Sequence, residues 1–258
     1  MKLSLMTHEW MMYWISLILT YWMSKTNIKI GVIGHQGRMG QEVLQVLKEK
    51  NIEAVVPDDE LNGNKLDVFT KADVVIDFSS PQGLKECLEC VRKTGTPLVS
   101  GSTPINNELL GEIKEINEKS KKEMGKELVY WSSNMSIGID LTKKIVKELG
   151  GILKSEDFDC EILEAHHHNK KDAPSGTAIS LGKSVAEGRK VDFEKVASFD
   201  RNKTRKEGEI GFASIRGGSI FGEHEVMFIG ESECISIKHI AYNRKVFAIG
   251  AVERALKC

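Results

Sequence analysis

The chain has almost no excess charge of either sign: 36 lysines and arginines stand against 37 aspartates and glutamates, a formal net charge of −1. That balance excludes bulk electrostatic attraction to nucleic acid or to an anionic membrane, so affinity for any anion must come from a local cluster. Cysteine is scarce and odd in number, at five, and no even framework of half-cystines is visible. A reduced, intracellular setting follows. Cys87 and Cys90 form a CxxC, but they lie in a helical pattern, PQGLKECLECVRKTG, with no second pair to complete a zinc shell. Repeats and low-complexity tracts are absent. The one long apolar run, WMMYWISLILTYWM from Trp10 to Met23, is short for a membrane span and closer in length to a signal-peptide core. It lacks a second basic residue near the start and a small-residue cleavage site. It reads as an extension ahead of a start at Met23, so residues 1–27 stand apart from the fold.

What is present is rhythm. A chain of 258 residues can bury one large core or two modest ones. IKIGVIG, Ile28 to Gly34, is short, β-branched and ends in glycine, as a buried parallel strand does. In MGQEVLQVLKEK, residues Met39, Val43, Leu44 and Leu47 recur at helical spacing. IEAVV, ADVVIDFSS, LVSGST and LVYWSSN supply further strands, with helices opening at Pro81 and near Asn106. This alternation predicts a doubly wound, parallel α/β sheet. From about Ser155 the rhythm changes: DFDCEILEAHHH, GFASIRGG, SIFGEHEVMF and ECISIKHIA read as strands of a mixed or antiparallel sheet around one helix, AISLGKSVAEG. Arg189 to Glu209 reads as a loop, and RKVFAIGAVERALKC as a closing helix.

GHQGRMG, Gly34 to Gly40, sets glycines at three-residue intervals between a strand and a helix. Glycine allows the backbone to approach a phosphate and leaves N–H groups free at a helix start. Gln36 occupies the second glycine position of the usual fingerprint, so the motif alone leaves a dinucleotide and a structural turn both open. Arg38 adds a cation suited to a phosphate. The acidic residue expected to hold the ribose is Asp58 or Asp59, and Glu60 follows where an arginine would meet a 2′-phosphate, which favours NADH over NADPH. The strand ends DFSSPQG, SGSTP and WSSN place small polar residues at the ligand-binding edge of such a sheet.

EAHHHNKKDAPSGTA, Glu164 to Ala178, admits three readings. Neighbouring strand residues point to opposite faces, and no HExxH or separate His/Cys set exists, which weighs against a metal. His166 and Lys170 could exchange protons with one substrate. The Pro174-Ser175-Gly176-Thr177 turn opens a helix whose amides suit a carboxylate. The third reading is a solvated loop with Ser175 as helix cap.

Taken together, the motifs resemble the dihydrodipicolinate reductases of lysine and diaminopimelate biosynthesis, from Ile28 to about Leu256. EAHHHNKKDAPSGTA is similar to the family's E-x-H-H-x-x-K-x-D-x-P-S-G-T-A signature, and GHQGRMG, VIDFSSPQG, SGSTP, SSNMSIG, IGFASIRGGSIFGEHEVMF and IKHIAYNRKVFAIGA follow in the family's order. The resemblance implies a Rossmann-like domain over 28–135, a substrate-binding and oligomerisation domain with an open mixed sheet over 136–244, and a C-terminal helix near 245–258 packed back on the first domain. It implies His166 as general acid/base and Lys170, not Lys171, as proton donor. His167, Gly176 and Thr177 would bind 4-hydroxy-tetrahydrodipicolinate. Gly34, His35, Gln36, Gly37, Arg38, Met39, Asp59, Gly101, Ser102, Thr103, Ser132, Ser133, Asn134 and Met135 would line NADH or NADPH. A cytoplasmic homotetramer that binds a small dicarboxylate, with no metal, nucleic acid or membrane partner, is the expectation. A catalytically silent dinucleotide sensor on the same fold is the alternative, and the intact His166/Lys170 pair favours the enzyme. Four features depart from the family pattern. The pattern continues past Cys258 through a further tail. Ser102 replaces a common threonine, the segment between the second and third strands is short, and the apolar run is foreign to the family.

Overall fold

The computed structural model describes residues 28–58, 63–200 and 202–258. The apolar run, Asp59 and Glu60 therefore lie outside the described residues. The first part of the chain alternates β1 (Lys29–Ile33), α1 (Arg38–Glu49), β2 (Glu53–Val55), α2 (Lys65–Lys71), β3 (Val74–Asp77), α3 (Pro81–Thr94), β4 (Leu98–Ser100), α4 (Asn107–Met124) and β5 (Val129–Trp131). There follow α5 (Ile137–Ile152), β6 (Asp159–His166), α6 (Gly176–Arg189), α7 (Phe193–Val196), β7 (Ala197–Ser198), β8 (Ile210–Arg216), β9 (Glu223–Ile229), β10 (Cys234–Ile240) and α8 (Lys245–Ala255).

β1 to β5 form one parallel sheet in the order β2-β1-β3-β4-β5. The two-residue period of a strand sorts its side chains into two apolar layers. Ile30, Val32, Val74, Ile76 and Val99 pack with α1 and α8, while Ile33, Val75, Leu98 and Val129 pack with α2, α3 and α4. Helices on both faces make the sheet doubly wound and Rossmann-like. The strand order reverses between β1 and β3, and in such sheets the crevice at that point, beyond the strands' carboxyl ends, takes the ligand.

The second sheet is mixed, in the order β10-β9-β6-β8-β7, with β6 parallel to β8 and antiparallel to β9. Its inner face, Cys160, Ile162, Ile210, Phe212, Val226 and Phe228, packs on Val146 of α5 and on Ala178, Leu181 and Val185 of α6. No layer among the described residues covers its outer face, where Ile215 is 49% exposed and Ile229 and Ile240 are also open.

Three segments differ from the sequence expectation. α2 has only Val68 and Phe69 buried, too little for a visible period, and is started by Asn64, whose side chain accepts from the Leu66 N–H. α5 has no counterpart in the predicted elements, because exposed Ile137 and Leu141 blur the stripe made by buried Ile139 and Val146. The segment read as a loop, 189–209, holds α7 and β7. The strand exists through pairing of Ala197 with Ile210, a contact that local periodicity does not register.

α8 closes the chain back onto the first sheet: Ala248, Ala251, Val252 and Ala255 are buried against Ile30, Val32, Val43 and Leu47. The approach is backbone to backbone, since a Cβ at Gly250 would lie 1.7 Å from the Met135 carbonyl oxygen. Gly250→Ala must push α8 off the sheet exit, and an overpacked site of this kind costs about 1–3 kcal/mol. A lowered melting temperature is expected; an unchanged one would show that the approach is not tight.

Candidate active site

The carboxyl edge of the first sheet faces the second across a cavity of about 710 Å³. Of the sequence-predicted residues, Met39, Gly101, Thr103, Ser132, Ser133, Asn134 and Met135 line it from one side, and His166, His167, Lys170, Gly176 and Thr177 from the other. Gly34, His35, Gln36, Gly37 and Arg38 form the turn beside this wall rather than the wall itself, and Ser102 is turned away.

The turn fits a pyrophosphate on two observations. A Cβ at Gly34 would lie 2.5 Å from the Phe78 carbonyl oxygen, and one at Gly40 would lie 2.1 Å from that of Gly34, so the chain is pinched where only glycine fits. Gly37 caps α1 with no side chain, and the first turn holds no acidic residue. The opening amides therefore remain for an anion, next to the positive end of the helix dipole.

Asp77 organises the rest of this edge. Its buried carboxylate accepts from Ser100 Oγ at 2.7 Å, Ser102 Oγ at 2.8 Å, Ser79 Oγ at 2.5 Å and the Ser79 N–H at 3.0 Å. Burial pushes the carboxyl up against these lowering hydrogen bonds. Ser79, Ser100 and Ser102 thus bind Asp77 and fix the loop, while Ser80 caps α3 by accepting from the Gly83 N–H. Ser102 is 2% exposed, which is why it does not reach the cavity. Trp131 Nε1 donates to the Ser102 carbonyl at 2.9 Å and holds the indole against the same loop.

On the second sheet the inward face of β6 runs Cys160, Ile162, Glu164, His166, apolar in the core and polar where the strand meets the cavity. His166 Nδ1 lies 2.5 Å from Glu164 Oε2, and Arg216 grips both oxygens of Glu164 through Nη1 at 2.9 Å and Nη2 at 2.6 Å. Burial would raise the Glu164 pKa, but hydrogen bonds from His166, Arg216 and Ser214 outweigh it and hold the carboxyl well below the usual range. Lys170 Nζ pairs with Asp172 at 3.0 Å. The three histidines part company. His167 lines the cavity, with its pKa lowered by burial and by the charges of His166 and Lys170, while the His168 ring turns to the Gly218 carbonyl at 2.9 Å. Among the described residues no cluster of three ligating side chains is placed to hold a metal.

Ser175 caps α6 by accepting from the Ala178 N–H at 3.1 Å, which leaves the Gly176 and Thr177 amides at the cavity wall. Asn134 Nδ2 donates to Thr177 Oγ1 at 3.0 Å, a direct tie between the two sheets' contributions. Behind the cap, Ser175 Oγ meets His224 Nε2 at 3.0 Å. Several wall residues carry no local sequence signal, among them Phe78, Trp131, Phe221, Arg244 and Phe247. Arg216 and His224 are likewise invisible by spacing. β6 brings them in through its register, His166 opposite Arg216 and Glu164 opposite His224.

A glycine-turned parallel sheet facing a histidine, a lysine and an anion-ready helix start is the arrangement of a nicotinamide-dependent oxidoreductase. Profiles of the N-terminus and C-terminus of dihydrodipicolinate reductase match residues 28–135 and 138–258. The chain belongs to the dihydrodipicolinate reductase family, whose members use NAD(P)H. It is 38% identical to the 4-hydroxy-tetrahydrodipicolinate reductases of a Wolbachia from Drosophila simulans and of Campylobacter jejuni, the match covering 89% of this chain and 92% of each relative. A dipicolinate-bound dihydrodipicolinate reductase from Paenisporosarcina sp. TG-14 shares the fold, with a TM-score of 0.65 at 23% identity over 90% of this chain and 94% of that one.

Burial, followed by the charge of His166, holds His224 down to a pKa of about 3, against 6.5 for the free side chain. The unfolded chain therefore takes up a proton near 6.5 that the folded chain refuses until about 3. Folded-state stability present above that window falls as pH drops through it, by up to about 1.4 kcal/mol per pH unit from this group. Compared with His224→Gln, the wild type should lose stability faster between pH 7 and pH 5 in urea unfolding. A pH-independent difference would show that the site does not keep His224 neutral.

Proposed function

We propose that the chain reduces 4-hydroxy-tetrahydrodipicolinate to tetrahydrodipicolinate, in lysine and diaminopimelate biosynthesis, with NADH or NADPH. The observation that carries this reading is one cavity lined at once by His166, Lys170, the Gly176-Thr177 helix start and the carboxyl edge of the dinucleotide-type sheet. A bound reduced nicotinamide would supply the hydride. The Gly176 and Thr177 amides and the Thr177 hydroxyl receive a substrate carboxylate, with His167 beside them. Lys170, Lys171 and Arg244 in the same wall favour a dicarboxylate over a neutral ring. Water leaves the hydroxylated ring, hydride reaches the resulting conjugated imine, and the carbanion-like intermediate takes a proton. His166, with Nδ1 held by Glu164, has Nε2 left for this exchange, and Lys170 is the donor.

The finer assignments are ours as well. Residues 28–135, with α8, bind the dinucleotide: Gly34, His35, Gln36, Gly37, Arg38 and Met39 around the pyrophosphate, Asp59 at the ribose, Gly101 to Thr103 and Ser132 to Met135 along the remainder. Residues 136–244 bind substrate and assemble the protein. The acidic run Asp58 to Glu60 supports NADH as the preferred donor. The uncovered outer face of the second sheet supports a homotetramer, and five free thiols support a cytoplasmic setting.

A coupled assay that generates the substrate from aspartate semialdehyde and pyruvate should show enzyme-dependent loss of NADH absorbance. No oxidation above background sinks the function, and equal or better turnover with NADPH sinks the cofactor preference. His166→Gln and Lys170→Ala should each lower kcat by about 10²–10⁴-fold with cofactor KM little changed. Equal damage from Lys171→Ala would reverse the choice of lysine. Light scattering should give four times the chain mass, and Ile215→Glu should shift it down; a wild-type monomer would remove the assembly claim.

A further inference from the structure

We propose that Glu164 is the positioning residue of this site: its single carboxylate fixes the tautomer of His166, the loop that carries Lys170, and the anion-receiving start of α6 relative to one another. The proposal rests on the reading of His166 and Lys170 as the proton-handling pair and deepens it.

Three connections converge on the two oxygens. His166 Nδ1 sits 2.5 Å from Oε2. An ionised carboxylate only accepts, so Nδ1 must carry the proton and Nε2 is the nitrogen turned to chemistry. The Ser175 N–H donates to Oε1 at 3.2 Å, which ties the cap of α6, and so the Gly176 and Thr177 amides, to the same group. The third connection runs through Arg216. Its Nη2 donates to Glu164 Oε1 at 2.6 Å and also to the Asp172 carbonyl at 2.7 Å, while the Asp172 carboxylate pairs with Lys170. Nothing else described joins all three parts of the site.

The placement explains why a carboxylate is tolerated there. Glu164 is 1% exposed, where an unpaired charge would be costly, and the Arg216 fork supplies the countercharge in bidentate form. A glutamine at this position could hold one partner as acceptor but could no longer hold His166 and both arms of Arg216. His166 would be free to move its proton to Nε2, and the Asp172 backbone would lose its anchor.

The test begins with the wild type, without ligand. Imidazole ¹⁵N spectra at alkaline pH, with His166 assigned by its loss in His166→Gln, should show the Nδ1–H tautomer. In Glu164→Gln the ring should shift to Nε2–H or to a mixture, and kcat should fall by about a hundredfold or more while KM for the dinucleotide stays within about threefold. Glu164→Asp keeps the charge and should recover a large part of kcat, which a merely structural role would not predict for a carboxylate pulled back by one methylene. If Glu164→Gln fails to fold because Arg216 is left unpaired, Glu164→Gln/Arg216→Met removes both charges and gives the same tautomer readout. A wild-type Nε2–H tautomer, or an unchanged Nδ1–H signal in the glutamine variants, overturns the proposal. Because the spectra need no turnover, a chain inactive on this substrate but showing the tautomer shift would refute the function and leave the positioning role standing.

Discussion

A carboxylate removed from water has to find all its hydrogen-bond partners inside the protein, and Glu164 finds them in the parts that make the second sheet's side of the cavity. The constraint runs outward from there. Glu164 must be ionised to hold Arg216 in a two-pronged grip, and that grip stands on the parallel pairing of β6 with β8. The pairing in turn depends on the apolar inward residues of β6, Cys160 and Ile162, being seated against α5 and α6. Core packing thereby sets the register, and the register brings the polar end of the strand to its partners.

The first sheet solves the same problem with different chemistry. Asp77 is equally dry, but its donors are three serine hydroxyls and one amide, all neutral. The two carboxyls are consequently pushed in opposite directions, Asp77 up by burial and Glu164 down by its hydrogen bonds from His166, Arg216 and Ser214. The difference suits their surroundings. Asp77 shapes the loop that borders the crevice at the carboxyl edge of the first sheet. Glu164 stands behind His166, which faces the cavity.

Much of this was legible in the sequence, for local reasons. β1, its glycine turn and α1 are read from β-branching, spacing and periodicity within a dozen residues, and the stretch around His166 and Lys170 packs its signal into fifteen. The parallel sheet followed from the alternation of strands and helices. What stayed hidden is long-range. Arg216 reaches Glu164 from 52 residues away through strand register, and Arg244 and Phe247 reach the cavity from the start of α8. Ser102 has the right type in the right loop, yet its hydroxyl is taken by a buried neighbour that composition does not reveal. α5 stayed hidden because its stripe is interrupted by exposed leucine and isoleucine.

The return of α8 to the first sheet gives the molecule a mechanical property. The polypeptide passes between the two sheets twice, once after β5 through Asn134 and Met135 and once before α8 through Arg244, and both passages border the cavity. One crossing would act as a swivel, free about every direction. Two crossings fasten the sheets to each other at two points. The two are not independent, because Gly250 seats α8, which follows the second crossing, against the Met135 carbonyl in the first.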